Sequence, residues 1–166
     1  MKDDSDATRM TDDIGALARR HAWTEALGRI LEHFAAESGT IHTLGEDGAL
    51  HLTAASAGIP EFVLETVRTV AVGKGMAGLA VERRLPVTAC NIQTDTTGDV
   101  RPGALATGLQ GSIVVPILKD ERAVGALGIA NRQERTFTQD ETALLLRIGR
   151  SLAGSLRPGI PGAAEP

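Results

Sequence analysis

Four groups of residues in this chain are of types that do chemistry. Gly73, Gly75 and Gly78 surround Lys74 in VGKGMAGLAVERR, the composition of a loop whose backbone N–H groups could cradle a phosphate. Cys90, the chain's one cysteine, closes the apolar run LPVTAC and could serve as nucleophile, metal ligand or redox thiol. His42 and His51 flank the turn composition GEDG, and a hairpin symmetric about Glu46 and Asp47 sets them opposite each other, as a metal-binding or pH-responsive pair. Asn91, Asp95, Thr96, Thr97, Asp99, Arg101 and Thr107 bring carboxylates, hydroxyls and a guanidinium to one glycine-rich stretch, with Met76 upstream and Ser112 just beyond. That set suits a small polar ligand with an anionic group held by Arg101.

Spacing limits each reading. A phosphate-binding loop of the GxxxxGK[ST] kind places its lysine after the glycines, whereas Lys74 lies between them, so the glycines read as a tight turn and close helix packing. Two histidines fall short of the three or four ligands a metal wants. One cysteine excludes an intramolecular disulfide and a multi-cysteine zinc cluster, and a lone cysteine also serves as a small buried hydrophobe. The loop aspartates fit turn capping as well as ligand binding. Arg83 and Arg84 suit the negative end of a short helix.

Composition narrows the class. The 166 residues are 42% hydrophobic and 23% charged, and no apolar run approaches the ~20 residues of a membrane span. The first thirteen residues hold five aspartates and no secretory apolar core, so a cytoplasmic location is expected. A net charge of −4 with dispersed Lys and Arg, three Phe, one Trp and no Tyr argue against nucleic-acid binding.

The elements that must position these groups follow from periodicity. Residues 1–11 and 157–166 read as disordered tails around one domain at 12–156. Ile14, Leu17, Ala18, Leu27, Ile30, Leu31 and Phe34 predict one amphipathic entry helix from Asp12 to Ala36 with a weak point at Gly28. TIHTL and ALHLTAAS form a hairpin. EFVLETVRTV after Pro60 reads as a second helix, 75–83 as a short third one, and LPVTAC as a strand. Residues 91–111 are a long functional loop. GSIVVPILKDERAVGALGIAN gives two strands, Pro116 marking an edge or a bulge. Thr138 and Glu141 form a capping box for a closing helix. Helices lying outside a run of hairpins predict an α+β fold with a mainly antiparallel sheet.

GKGMAGLAVERRLPV, GSIVVPILKDERAVGALGIAN and FTQDETALLLRIGRSLA, in this order, resemble the GAF domain family over roughly Trp23 to Leu156. The resemblance implies a central antiparallel sheet of about six strands, terminal helices on one face, and a ligand pocket beneath short helices and a loop on the other. It implies a small-molecule sensor or dimerisation module more than an enzyme. Free methionine sulfoxide reductase, a relative of similar motifs, needs a second thiol to resolve its sulfenic acid. The matching positions here, near Leu105 and at Ala77, carry no sulfur, which leaves Cys90 with an external reductant as the enzymatic alternative. The cyclic-nucleotide signature of the family is matched only loosely by Asn131-Arg132, Phe137 and Glu141-Thr142, with an expected Arg132–Glu141 ion pair. The pocket residues implied are Met76, Cys90, Asn91, Asp95, Arg101, Thr107 and Ser112, with His42 and His51 as weak metal candidates. The ligand and any cofactor stay unnamed. Consecutive Leu144, Leu145 and Leu146 leave an apolar strip on the closing helix, so a homodimer through the terminal helices is expected. Since no kinase, cyclase or DNA-binding segment is read in the chain, a separate signalling protein is the expected recipient. A third alternative is an interaction module whose pocket is filled by its own side chains.

Overall fold

The computed structural model describes residues 2–100 and 107–157. Helices α1 (Lys2–Arg19) and α2 (Trp23–Phe34) precede the hairpin β1 (Ser38–Leu44) and β2 (Ala49–Ala55). Helix α3 (Glu61–Val67), strand β3 (Thr69–Ala71), helix α4 (Gly75–Arg83) and strand β4 (Val87–Ala89) follow. A 3-10 turn at Ile92–Thr94 opens the long loop, and β5 (Gly111–Lys119), β6 (Arg122–Asn131) and α5 (Gln139–Ala153) complete the described elements.

The six strands form one antiparallel sheet in the order β3-β2-β1-β6-β5-β4. Strand alternation sorts the side chains between two faces. Ile113, Val115 and Ile117 of β5 and Leu127 and Ile129 of β6 meet α1, α2 and α5 in the larger core. On the other face Leu50, Val70, Val114 and Ala126 pack with Ala80 and Val81 of α4. β4 ends in register with Val114, so Pro116 lies where β5 has no outer neighbour, and a bulge follows at Ile117–Leu118. Thr138 accepts from the Glu141 amide while Glu141 accepts from the Thr138 amide, so the capping box forms as expected.

Three expectations are corrected. Residues 2–19 are one helix, not a tail leading into one, because Met10, Thr11, Ile14, Leu17 and Ala18 line a single face that docks on α5. The break between the first two helices falls at His21, with φ 59°, and not at Gly28. An exposed interior glycine costs only ~1 kcal/mol against alanine, and the apolar face of α2 (Ala26, Leu27, Ile30, Phe34) outweighs it. The segment after Pro60 stops being helical at Val67, and Thr69–Ala71 pairs with β2 instead. Of the predicted tail at 157–166, residues 158–166 lie outside the described residues.

The closing helix also differs from expectation. Leu145 is buried, and Leu144 and Leu146 are half-buried against the same core. The cover expected from a second subunit comes from α1 of the same chain, where Arg147 donates to Thr8 Oγ1 at 2.7 Å. Among the described residues the exposed large apolar side chains are Phe62, Val72 and Leu85, none of them on a terminal helix.

Candidate functional site

The face of the sheet opposite the terminal helices carries unusually small residues next to its second core. Ser38 and Thr40 of β1, Gly128 and Ala130 of β6 and Ser112 of β5 lie side by side there. Above them is a cavity of about 500 Å³. Ile59, Val63, Val67 and Val70 form one wall from the α3–β3 segment, and Gly75, Met76 and Ala77 bring the first turn of α4 to another. The loop contributes Ile92, Val100, Thr107 and Leu109. The volume lies within the ~300–1,000 Å³ of small-molecule sites, and a mainly apolar lining with a few polar groups is their usual character.

The turn before α4 explains the glycine cluster. Gly73 (φ 89°) and Gly75 (φ 66°) adopt backbone conformations closed to most side chains. A Cβ on Gly78 would collide with the Ala71 carbonyl, while the Gly73 amide bonds the Gly78 carbonyl at 2.9 Å. The turn aims the start of α4 at the cavity, and no side chain caps that end. Lys74, at the N-cap position, lines the cavity and has no ion-pair partner among the described residues. The other charged lining residues, Glu37 and Arg132, pair with each other at 3.2 Å.

His42 is the most buried polar group of the wall, 2% exposed. Its Nε2 lies 2.8 Å from the Val67 carbonyl, which can only accept, so Nε2 carries the proton. Burial pushes the imidazole pKa below its ordinary value, against the opposing effect of the Val67 bond, and the ring is neutral. Nδ1 is therefore a bare acceptor, and it has no hydrogen-bond partner. The expected His42–His51 pairing is corrected: the turn centres on Asp47, setting His42 opposite Leu52 and His51 opposite Thr43. A slip of one residue sends the two rings to different faces. His51 bonds Asp47 at 2.9 Å, and no cluster of three or more metal-ligating side chains occurs among the described residues.

Of the residues expected at the site, Met76, Thr107 and Ser112 line the cavity. Ser112 donates to the Ile129 carbonyl at 3.2 Å, so its hydroxyl is already engaged. Cys90 is exposed and outside the lining. Asn91 caps the 3-10 turn, accepting from the Gln93 amide at 2.9 Å and donating to Glu134 at 2.8 Å. Asp95 holds a turn through the Thr97 amide and hydroxyl, at 3.2 and 2.6 Å. Arg101 lies outside the described residues. Asn91 and Asp95 thus spend acceptors on turns of the loop, while Ile92, Val100 and Leu109, with Thr107, face the cavity. Asp99 further ties it to α4 through both oxygens, at 3.1 and 3.3 Å from Arg83.

The ion pair expected between Arg132 and Glu141 is corrected too. Arg132 is 72% exposed on Glu37, while Arg135 reaches Glu141 at 2.6 Å. Arg135 also donates to the Phe34 carbonyl at 2.6 Å and to Asn131 at 2.8 Å, and it stacks over the Phe137 ring at 4.3 Å. Asn131 bonds the Ala35 carbonyl at 2.8 Å. These contacts join the end of β6, beside the cavity, to α2 and α5. Lys74, Thr40, Val67 and the floor residues other than Ser112 are lining that the sequence does not single out. The alternation Ser112-Ile113-Val114 and Gly128-Ile129-Ala130, small on one face and branched on the other, was the available signal.

The fold has many solved counterparts. The GAF domain of an Acinetobacter phosphoenolpyruvate-protein phosphotransferase superposes with a TM-score of 0.73 at 18% identity, over 90% of this chain and 89% of that one. A free methionine-R-sulfoxide reductase from Neisseria meningitidis, solved with its substrate, gives 0.70 at 16% identity, over 90% and 87%. A domain of a Sinorhizobium meliloti protein assigned as a two-component sensor histidine kinase gives 0.63 at 19%, over 80% and 86%. At these identities the likeness is one of fold. A search of curated proteins returned no match. The GAF domain family model matches residues 20–157, from the turn before α2 to the end of the described chain, and the protein belongs to the GAF domain family.

Proposed function

We propose that this GAF domain binds a small molecule in the cavity over β1, β6 and β5 and passes its occupancy to a separate protein, without transforming the ligand. The cavity of about 500 Å³ carries the reading: the sheet leaves it open beside its second core by using Gly128, Ala130 and Ser112 as floor. A filled interior, the third sequence alternative, leaves no such volume. The network of Arg135 and Asn131 offers a route outward, since β6 both floors the cavity and bonds α2. Native mass spectrometry of freshly purified protein tests the reading with Ala130→Leu as control. An occupant present in wild type and lost in the variant is expected, and equal occupancy in both refutes it. Ala130 is buried, so the added bulk should cost about 1–3 kcal/mol at most, and a melting curve of the variant checks that it is folded.

The enzymatic alternative keeps support from the reductase folds at 16% to 20% identity. Cys90 lies outside the cavity and Ala77 within it, so no described thiol faces a substrate held there. Turnover of free methionine sulfoxide with an added dithiol reductant, abolished in Cys90→Ser, would establish the enzyme instead.

A further inference from the structure

We propose that the cavity takes an aliphatic carboxylate whose chain carries one hydrogen-bond donor, an inference that rests on the pocket reading and names its ligand class. Three independent features of the wall specify the three parts of such a molecule.

The body is aliphatic. Val63, Val67, Val70, Val114 and Leu109 present branched apolar surface, and among the described residues no Phe, Tyr or Trp lines the cavity, the His42 imidazole being the ring of the wall. A purine or other flat ring finds no stacking partner there, whereas a methylene chain meets complementary surface all along its length.

The head is anionic. Glu37 and Arg132 cancel each other at 3.2 Å, which leaves the Lys74 ammonium as the lining charge without an ion-pair partner among the described residues. Beside it the first turn of α4 enters the cavity with no side-chain cap, so its leading amides keep their donors for a ligand. A carboxylate accepts from both.

The donor answers His42. The Nδ1 lone pair is buried and unpartnered while Nε2–H is committed to Val67. Leaving a buried acceptor empty is unfavourable, and no described side chain supplies a proton to it. Nδ1 is closed off from the cavity in this structure, so a hydroxyl on the chain of a bound acid supplies the proton as the ring turns to meet it.

Isothermal titration of the full chain with saturated carboxylates from hexanoate to tetradecanoate, decan-1-ol and the monohydroxydecanoates tests each part. Affinity is expected to rise about fourfold per methylene until the cavity is full. Decanoate should bind at least about tenfold more tightly than decan-1-ol. Lys74→Gln, at an exposed position, should weaken decanoate about fivefold and leave decan-1-ol unchanged. One hydroxyl position should improve on decanoate about fivefold, and Ala130→Leu should abolish all specific binding. Equal affinity for acid and alcohol, or an unaffected Lys74→Gln, overturns the anionic head, and no preferred hydroxyl position overturns the donor. Absence of acid binding alongside a mass-detected occupant that Ala130→Leu removes overturns the ligand class and leaves the pocket reading standing. No occupant sensitive to Ala130→Leu overturns both.

Discussion

Replacing Arg135 by methionine should destabilise the domain far more than removing any other paired arginine. Its side chain is only 21% exposed and that of Glu141 29%, so solvent screens their 2.6 Å contact weakly. The side chain also supplies donors to the Phe34 carbonyl and to Asn131, and its plane covers Phe137. A charged hydrogen bond contributes about 1.5–3 kcal/mol, and the contacts share one side chain, so they do not add in full. Methionine keeps the contact with Phe137 and loses the polar bonds, which sets the expected loss at about 2–4 kcal/mol. At ~2–4 °C per kcal/mol for a domain of this size, the melting temperature should fall by roughly 4–16 °C. Arg132→Met, on the exposed Glu37 pair, should cost under ~1 kcal/mol. Urea denaturation of both variants, with Glu141→Gln and the double variant to complete a cycle, measures the difference. A loss below ~1 kcal/mol for Arg135→Met, or no coupling to Glu141, would refute the claim that this arginine locks the sheet to α2 and α5.

The remaining predictions use the same assays. Because burial lowers the His42 pKa, the unfolded chain takes up a proton first as pH falls. Stability from this group is complete above ~6.5 and declines below it by up to ~1.4 kcal/mol per pH unit, and His42→Leu should remove that slope even though its baseline is lower. For Glu141, desolvation opposes the hydrogen bonds from Thr138 and Arg135, which prevail and hold its pKa below the ordinary value. Its stabilisation is present above the ordinary carboxylate pKa and is lost as pH falls through the depressed one, a loss that Glu141→Gln should blunt in acid denaturation. Gly78→Ala drives a methyl group into the Ala71 carbonyl and should cost about 1–3 kcal/mol by urea titration, while Gly28→Ala, with open space around it, should be neutral or stabilising.

The sequence made the frame legible because the frame rests on local rules. The capping box at Thr138, the glycine turn before α4 and the β5–β6 hairpin each follow from a few adjacent residues. The cavity does not. Its floor is defined by what is missing at Gly128, Ala130 and Ser112, and its walls come from segments far apart in the chain. Polarity misled the assignment of loop residues, since Asn91 and Asp95 satisfy backbone amides while the neighbouring apolar residues face the ligand space. The half-residue shift of the β1–β2 turn, invisible in composition, moved His42 from a supposed metal pair to a buried wall. The N-terminal helix was hidden because only Met10 among its first eleven residues beyond Ala7 is apolar, and its burial needs α5 to exist first.

The strand order has a bearing on how the polypeptide reaches this shape. β6 lies between β1 and β5, yet among the described strands it is the last to leave the ribosome. Until it emerges, the two halves of the sheet have open edges where they will later join, and α5 arrives later still to cover Ile117. Nascent chains halted before Arg122 would therefore be sticky and protease-sensitive, and chaperone dependence should peak in that window of synthesis.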